Sequence, residues 1–191
     1  MRHVANGILR LIGWRMVGEV PKPQCVLIGA PHTSNWDFVF ALLAFWSLDF
    51  ECRWVGKHTI FKPPFGWLMR RLGGIPLDRS TTRDFVPEVV SWFEDEPELT
   101  LCIAPEGTRS RKDYWRSGFY WIAYGAGVPI GLGFLDYENK VGGIGETIVP
   151  TGDIEADMEK IRSFYAEMRG RHPEKLSPIQ LRPGTAGGEP G

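Results

Sequence analysis

Cys25-Val26-Leu27-Ile28-Gly29-Ala30-Pro31-His32-Thr33-Ser34-Asn35-Trp36-Asp37-Phe38-Val39-Phe40-Ala41-Leu42-Leu43-Ala44-Phe45-Trp46 reads as a strand, a break and a helix in immediate succession. Its opening residues are apolar without alternation, the pattern of a strand buried on both faces, and Gly29 and Pro31 interrupt it. From Phe38 to Trp46 the chain is continuously apolar and long enough to be the body of a buried helix. Strand 25–29 feeding helix 36–48 is the repeating unit of an α/β domain. Outward from this unit the alternation continues: strand 51–55, a short helix near 64–72, a loop through Asp78-Arg79-Ser80, helix 84–95, strand 99–104, helix 117–126 and strand 128–134. The fold class expected is therefore α/β, a single domain with a largely parallel sheet flanked by helices. Tyr137 to Pro150, rich in glycine, reads as a β-hairpin or a pair of late edge strands, and Asp153 to Met168 as an amphipathic helix capped by Thr151 or Asp153.

The ends and the composition narrow the function classes. Residues 1–20 set Ile8, Leu9, Leu11, Ile12, Trp14, Met16 and Val17 among three arginines, and are expected to form an amphipathic helix. Such a helix either lies on an anionic membrane or packs on the domain's own core. The domain proper is expected over 21–182, with 183–191 a disordered tail too poor in apolar residues to pack. A net charge of −1 over 191 residues argues against a nucleic-acid partner. Eight tryptophans and an aromatic share of 13% point to a large apolar pocket, an interface or lipid headgroups. Cys25, Cys52 and Cys102, widely spaced in apolar segments, read as reduced thiols, and no His, Cys and carboxylate cluster has metal-ligand spacing. His3, His58 and His172 are scattered and read as surface residues. With no secretory signal in view, a cytoplasmic location is expected. The longest apolar run, Phe38 to Leu48, is about half the roughly 20 residues that a membrane-spanning helix needs.

His32 and Asp37 make the break between strand and helix chemically interesting. On one continuous helix an offset of five residues is about 500° of rotation, so the two side chains would diverge by roughly 140°. If Ser34 caps the helix instead, Asp37 becomes the acidic member of a Ser-x-x-Asp capping box and His32 lies outside the helix, where the chain can curl back. Asp37 would then hold one ring nitrogen and leave the other to take a proton. A plain helix cap beside a satisfied histidine fits these residues equally well.

Three further stretches could hold an anion. Pro105-Glu106-Gly107-Thr108-Arg109-Ser110 follows the strand 99–104; its glycine allows close backbone approach, and Thr108, Arg109 and Ser110 supply donors. A solvated turn is the alternative. Gly73-Gly74-Ile75-Pro76-Leu77-Asp78-Arg79 reads as a fixed turn presenting Arg79, whose planar fork suits phosphate, or as a turn with a surface ion pair. Lys57, in Val55-Gly56-Lys57-His58, is a weaker candidate for the same anion.

In order and spacing these blocks resemble the lysophosphatidate-type glycerolipid acyltransferase family. His32 to Asp37 matches its His-x4-Asp block, Gly74 to Arg79 its Gly-x-x-x-x-Arg-like block, Pro105 to Ser110 its Glu-Gly-Thr-Arg block and Val128-Pro129-Ile130 its Val-Pro-Ile-like block. The resemblance covers roughly residues 25 to 135. Pro76 and Leu77 depart from it, standing where many members carry a phenylalanine and a β-branched residue, and the N-terminal region is shorter than the usual two-helix membrane anchor. It implies transfer of a fatty acyl group from an acyl-CoA or acyl-ACP thioester to the hydroxyl of a lysophosphatidate-like glycerolipid, with no bound cofactor and no acyl-enzyme. It further implies that His32 is the general base and Asp37 its orienter. Arg79 and Arg109 would bind the acceptor phosphate, with Glu106, Gly107 and Thr108 shaping the pocket. The partners implied are the two substrates, acyl carrier protein as a possible donor, and the inner face of the membrane as a peripheral surface. A thioesterase using the same histidine on water, or a non-catalytic lipid-binding module, remains an alternative.

Overall fold

The computed structural model describes residues 1–77 and 85–183. Strand β2, Cys25–Ala30, lies at the centre of the sheet, hydrogen-bonded on one side to β5, Thr100–Ile103, and on the other to β6, Ile130–Asp136. Beyond β5 come β3, Arg53–Lys57, and β4, Gly74–Leu77; beyond β6 come β7, Val141–Ile148, and β1, Arg15–Val17. The order across the described residues is β1-β7-β6-β2-β5-β3-β4, and only the β6–β7 pairing is antiparallel. The domain is thus α/β with a mostly parallel sheet, as the run of unalternating apolar strands required. Five strands point their C-terminal ends at one edge, and there the loops of β2, β3 and β5 gather.

Helices cover both faces. Val26, Ile28 and Ala30 of β2 turn to one face, where they pack with α4, Phe85–Asp95, α5, Gly118–Ala126, and α6, Ile154–Tyr165. Leu27 turns to the other, against Leu42 and Phe45 of α2, Trp36–Ser47. Asp153 caps α6, its Oδ1 accepting from the Ala156 amide at 3.1 Å. Among the described residues no helix is long and apolar enough to cross a membrane.

The N-terminal segment differs from a single helix over 1–20. Helix α1 covers Arg2–Leu11, the chain turns at Gly13 with φ +75°, and Arg15–Val17 joins the sheet beside β7. Ala5 and Leu9 bury one face of α1 against Phe40 and Leu43 of α2, while Val4, Ile8 and Leu11 stay exposed. Because β1 covers β7, the 137–150 stretch is neither a self-contained hairpin nor an edge. Residues 137–140 form the turn of a hairpin between β6 and β7, and β7 is an inner strand. Gly143 explains the glycine there: at φ +141° an added Cβ would lie 1.9 Å from the Val17 carbonyl oxygen.

The Gly73 to Arg79 stretch is also more than a turn. Gly74–Leu77 is an edge strand parallel to β3, a position that tolerates the missing amide hydrogen of Pro76. Its continuation through Asp78, Arg79 and Ser80 lies outside the described residues, as do Asp84 and the tail beyond Pro183.

Candidate active site

The loop between β2 and α2 folds around one carboxylate. Asp37 is 4% exposed, and its Oδ2 accepts from the backbone amides of Thr33 and Ser34, both at 2.8 Å. The Ser34 hydroxyl oxygen accepts from the Trp36 amide at 3.2 Å, so the serine takes the first orphan donor of the helix while the aspartate takes the two amides just before the cap residue. This is a variant of the capping box: the carboxylate reaches back as expected, but the helix opens at Trp36, with Asn35 as its cap residue. His32 stays off the helix, and its Nδ1 lies 3.3 Å from the same Oδ2. The cap and the imidazole contact therefore coexist on a single carboxylate.

Tyr137, immediately after β6, donates its phenol hydrogen to Asp37 Oδ1 at 2.7 Å. Burial pushes the Asp37 carboxyl up, but the bonds from His32, Tyr137 and the Ser34 amide outweigh it and hold the group below the usual carboxylate range. A carboxylate fixed in its charged form by that many donors can orient Nδ1–H and leave Nε2 to exchange a proton. Burial, with the nearby Asp37 charge, raises the Tyr137 phenol, which stays a donor.

The loop after β5 supplies the other wall. Gly107 takes φ +64° in a turn closed by its amide on the Ala104 carbonyl at 3.0 Å. Glu106, 7% exposed, accepts the His32 backbone amide on Oε1 at 3.1 Å, and its Oε2 has no hydrogen-bond partner among the described residues. Burial raises the Glu106 carboxyl above the usual range. Thr108 Oγ1 accepts from the Ser110 amide at 3.3 Å, and the exposed Arg109 donates from Nη1 to the Asn35 side-chain oxygen. A guanidinium has five donors, so this bond leaves others for an anion.

A cavity of about 1180 Å³ opens along this edge, and His32, Asp37, Lys57, Glu106, Gly107, Thr108 and Arg109 all line it. Lys57 reaches it because β3 runs parallel to β5 and ends at the same edge. Apolar wall comes from Leu27, Phe38, Phe45 and Trp54, so a charged rim meets a greasy interior. Arg79 lies outside the described residues; the last described residue before it, Leu77, pairs in register with Lys57. Among the described residues no group of three or more His, Cys, Asp or Glu could hold a metal ion.

Sequence reasoning missed the contacts that brace the histidine loop from elsewhere. Tyr137 is one, and Arg171 another: its guanidinium sits 5.6 Å from the Trp36 ring centroid and 5.9 Å from that of Tyr137. The His172 amide donates to Thr33 Oγ1 at 3.2 Å, which ties the loop to the segment after α6. None of these residues has a local spacing signal. They are recognisable only once β6 and the segment after α6 are placed beside β2.

The sequence model of the acyltransferase family matches residues 15–131, more than half of the chain and the whole of both loops. The crystal structure of the 1-acyl-sn-glycerophosphate (LPA) acyltransferase PlsC from Thermotoga maritima is similar in fold, with a TM-score of 0.56 and 18% identity over 88% of this chain and 80% of that one. No curated protein sequence matches the chain.

Proposed function

Because the chain belongs to the acyltransferase family, we propose that it moves a fatty acyl group from an acyl-CoA or acyl-ACP thioester to the hydroxyl of a lysophosphatidate-like glycerolipid, with His32 as general base. The observation that carries this reading is the 3.3 Å approach of His32 Nδ1 to a carboxylate kept ionised, on the wall of a cavity that also holds Lys57 and Arg109. His32 Nε2 takes the acceptor's hydroxyl proton as its oxygen attacks the thioester carbonyl. The tetrahedral oxyanion collapses, the carbon–sulfur bond breaks, and the leaving thiolate recovers the proton from the imidazolium. Ester and free thiol are the products, with no covalent enzyme intermediate and no resident cofactor. Asp37 stabilises the imidazolium and fixes its ring.

In the same reading Arg109 and Arg79 hold the acceptor phosphate, assisted by Lys57, while Gly107 and Thr108 let the substrate approach the loop closely. Glu106 holds the histidine loop through the His32 amide. Residues 21–182 form the catalytic unit, and the protein works in the cytoplasm against the inner face of the membrane. Support for the acceptor comes from the pairing of cationic rim and apolar interior, which suits a molecule with a phosphate at one end and an acyl chain at the other.

The experiment is an acceptor panel. Purified protein is given one acyl thioester and a series of lysophospholipids, and thiol release is followed with product analysis. Acceptor-dependent thiol release with diacyl product, lowered about 10²–10⁴-fold by His32→Ala, is expected. Thiol release at full rate without any acceptor would identify a thioesterase instead, and no turnover with either donor would overturn the reading.

A further inference from the structure

From Arg53 to Leu77 the chain carries five lysines and arginines and no aspartate or glutamate. The fold makes a corner of this stretch beside the cavity: the 3₁₀ turn His58–Phe61, the link Lys62-Pro63-Pro64, and α3, Gly66–Arg71. The corner is clamped from beneath. Phe61 is buried and stacks on Trp54 with ring centroids 5.7 Å apart, and a Cβ on Gly66 would lie 1.9 Å from the Phe61 carbonyl oxygen. On this fixed base Phe65 is 66% and Trp67 68% exposed.

Lys62, Arg70 and Arg71, close to the two rings in the chain, are exposed; the Arg70 guanidinium lies 5.4 Å over the Phe61 ring, and among the described residues no acidic side chain forms an ion pair with any of the three. Ile60 and Met69 of the same corner line the cavity, as Lys57 does. Two large aromatics left in water on a clamped element, beside exposed cations with no ion-pair partner among the described residues, are the composition of a membrane interface.

We propose that this corner is a lipid-docking surface: Phe65 and Trp67 enter the interfacial layer of an anionic bilayer, Lys62, Arg70 and Arg71 meet its headgroups, and the cavity rim is brought to the lipid. The inference rests on the reading that the acyl acceptor is a lipid. Charge complementarity selects anionic headgroups. The exposure of the rings favours a bilayer over an acidic protein, which would be expected to meet a groove or pocket as well as charge.

The test is flotation of the full chain with vesicles of phosphatidylcholine alone or mixed with phosphatidylglycerol. Binding to the anionic vesicles is expected, weakening as salt is raised. Each Lys or Arg near such a surface contributes about fivefold in partitioning, so Arg70→Gln with Arg71→Gln should cost roughly 25-fold. Phe65→Ser with Trp67→Ser should abolish flotation, and the blue shift of emission on vesicle addition should shrink in Trp67→Phe.

Val4→Ser with Leu11→Ser, on the exposed face of α1, should leave flotation unchanged. Unaltered flotation in the corner variants, or loss confined to the α1 variant, overturns the proposal. So does a corner variant that floats normally yet loses turnover with a carrier-protein donor in detergent solution, because the surface then serves an acidic protein. Turnover without vesicles, on a soluble acyl thioester and a short-chain acceptor, is measured in parallel. Its absence in the parent protein would count against the acyl-transfer reading, whereas flotation reports on docking alone.

Discussion

Replacing Tyr137 with phenylalanine removes the phenol hydroxyl and keeps the ring, and so isolates the phenol's bond to Asp37. That bond, 2.7 Å to Oδ1, is the donor from farthest along the chain on a carboxylate that also faces two backbone amides and the His32 ring. A hydrogen bond to a charged group contributes about 1.5–3 kcal/mol, and with the other contacts retained the lower half of that range is expected at neutral pH. The sign of the pH dependence follows from the carboxyl's lowered folded-state value. Such a group stabilises the fold at pH above its unfolded value, and the contribution disappears as pH falls through the folded value. Tyr137→Phe weakens one of the lowering interactions, so its stability deficit should be full at neutral pH and close as both proteins are protonated in acid. Denaturant melts from neutral pH to pH below the carboxylate range measure this directly. Turnover should fall about tenfold, the equivalent of 1.4 kcal/mol of lost orientation, while KM holds. A deficit that does not change with pH, or none at all, would refute the idea that the phenol acts through the ionised carboxylate.

Other substitutions test different parts of the molecule. Asp37→Asn should leave His32 in place but mispair its ring, lowering kcat by at least 10²-fold with circular dichroism unchanged. Glu106→Gln should stabilise the protein by about 1 kcal/mol, because it removes a buried charge whose Oε2 has no hydrogen-bond partner among the described residues. Since burial raises that carboxyl, the gain should be absent in acid and grow as pH rises through the folded-state value, as read in thermal melts. Arg109→Lys keeps the charge and loses the fork, so KM for a phosphorylated acceptor should rise about tenfold with the acyl-donor KM unchanged. Asp157, fully buried, accepts from Tyr120 at 2.9 Å, from the Thr151 amide at 2.7 Å and from Lys160 at 3.0 Å. Asp157→Ala should cost about 3 kcal/mol in denaturant melts while sparing the kinetics of the remaining folded enzyme.

Ser34 and Asp37 announce a helix start because capping is local: the amides they satisfy, those of Thr33, Ser34 and Trp36, lie within four residues of them. The unalternating Cys25 to Ile28 run announces a central strand for a similar reason, since both of its faces are buried. Strand β4 escaped notice because two glycines and a proline are turn signals in isolation. Gly74 is required by packing instead, where an added Cβ would sit 2.6 Å from the Trp54 ring and 2.7 Å from the Met69 carbonyl. The first 20 residues misled in the opposite sense: their apolar content fits a helix, yet Gly13 ends it and three residues complete the sheet.

What the sequence determined by itself is therefore the local chemistry. It fixed the alternation of strand and helix, the break that keeps His32 off α2, and the order of the His-x4-Asp and Glu-Gly-Thr-Arg blocks, all of which act over a few residues or through a recurring pattern. Only the tertiary structure decided which groups converge on that chemistry. Tyr137 lies 100 residues from Asp37 in the chain, and Glu106 lies 74 from His32. Their meeting depends on β6 and β5 flanking β2 and ending at the same edge. Sheet pairing acts across such distances, and no spacing in the sequence records it.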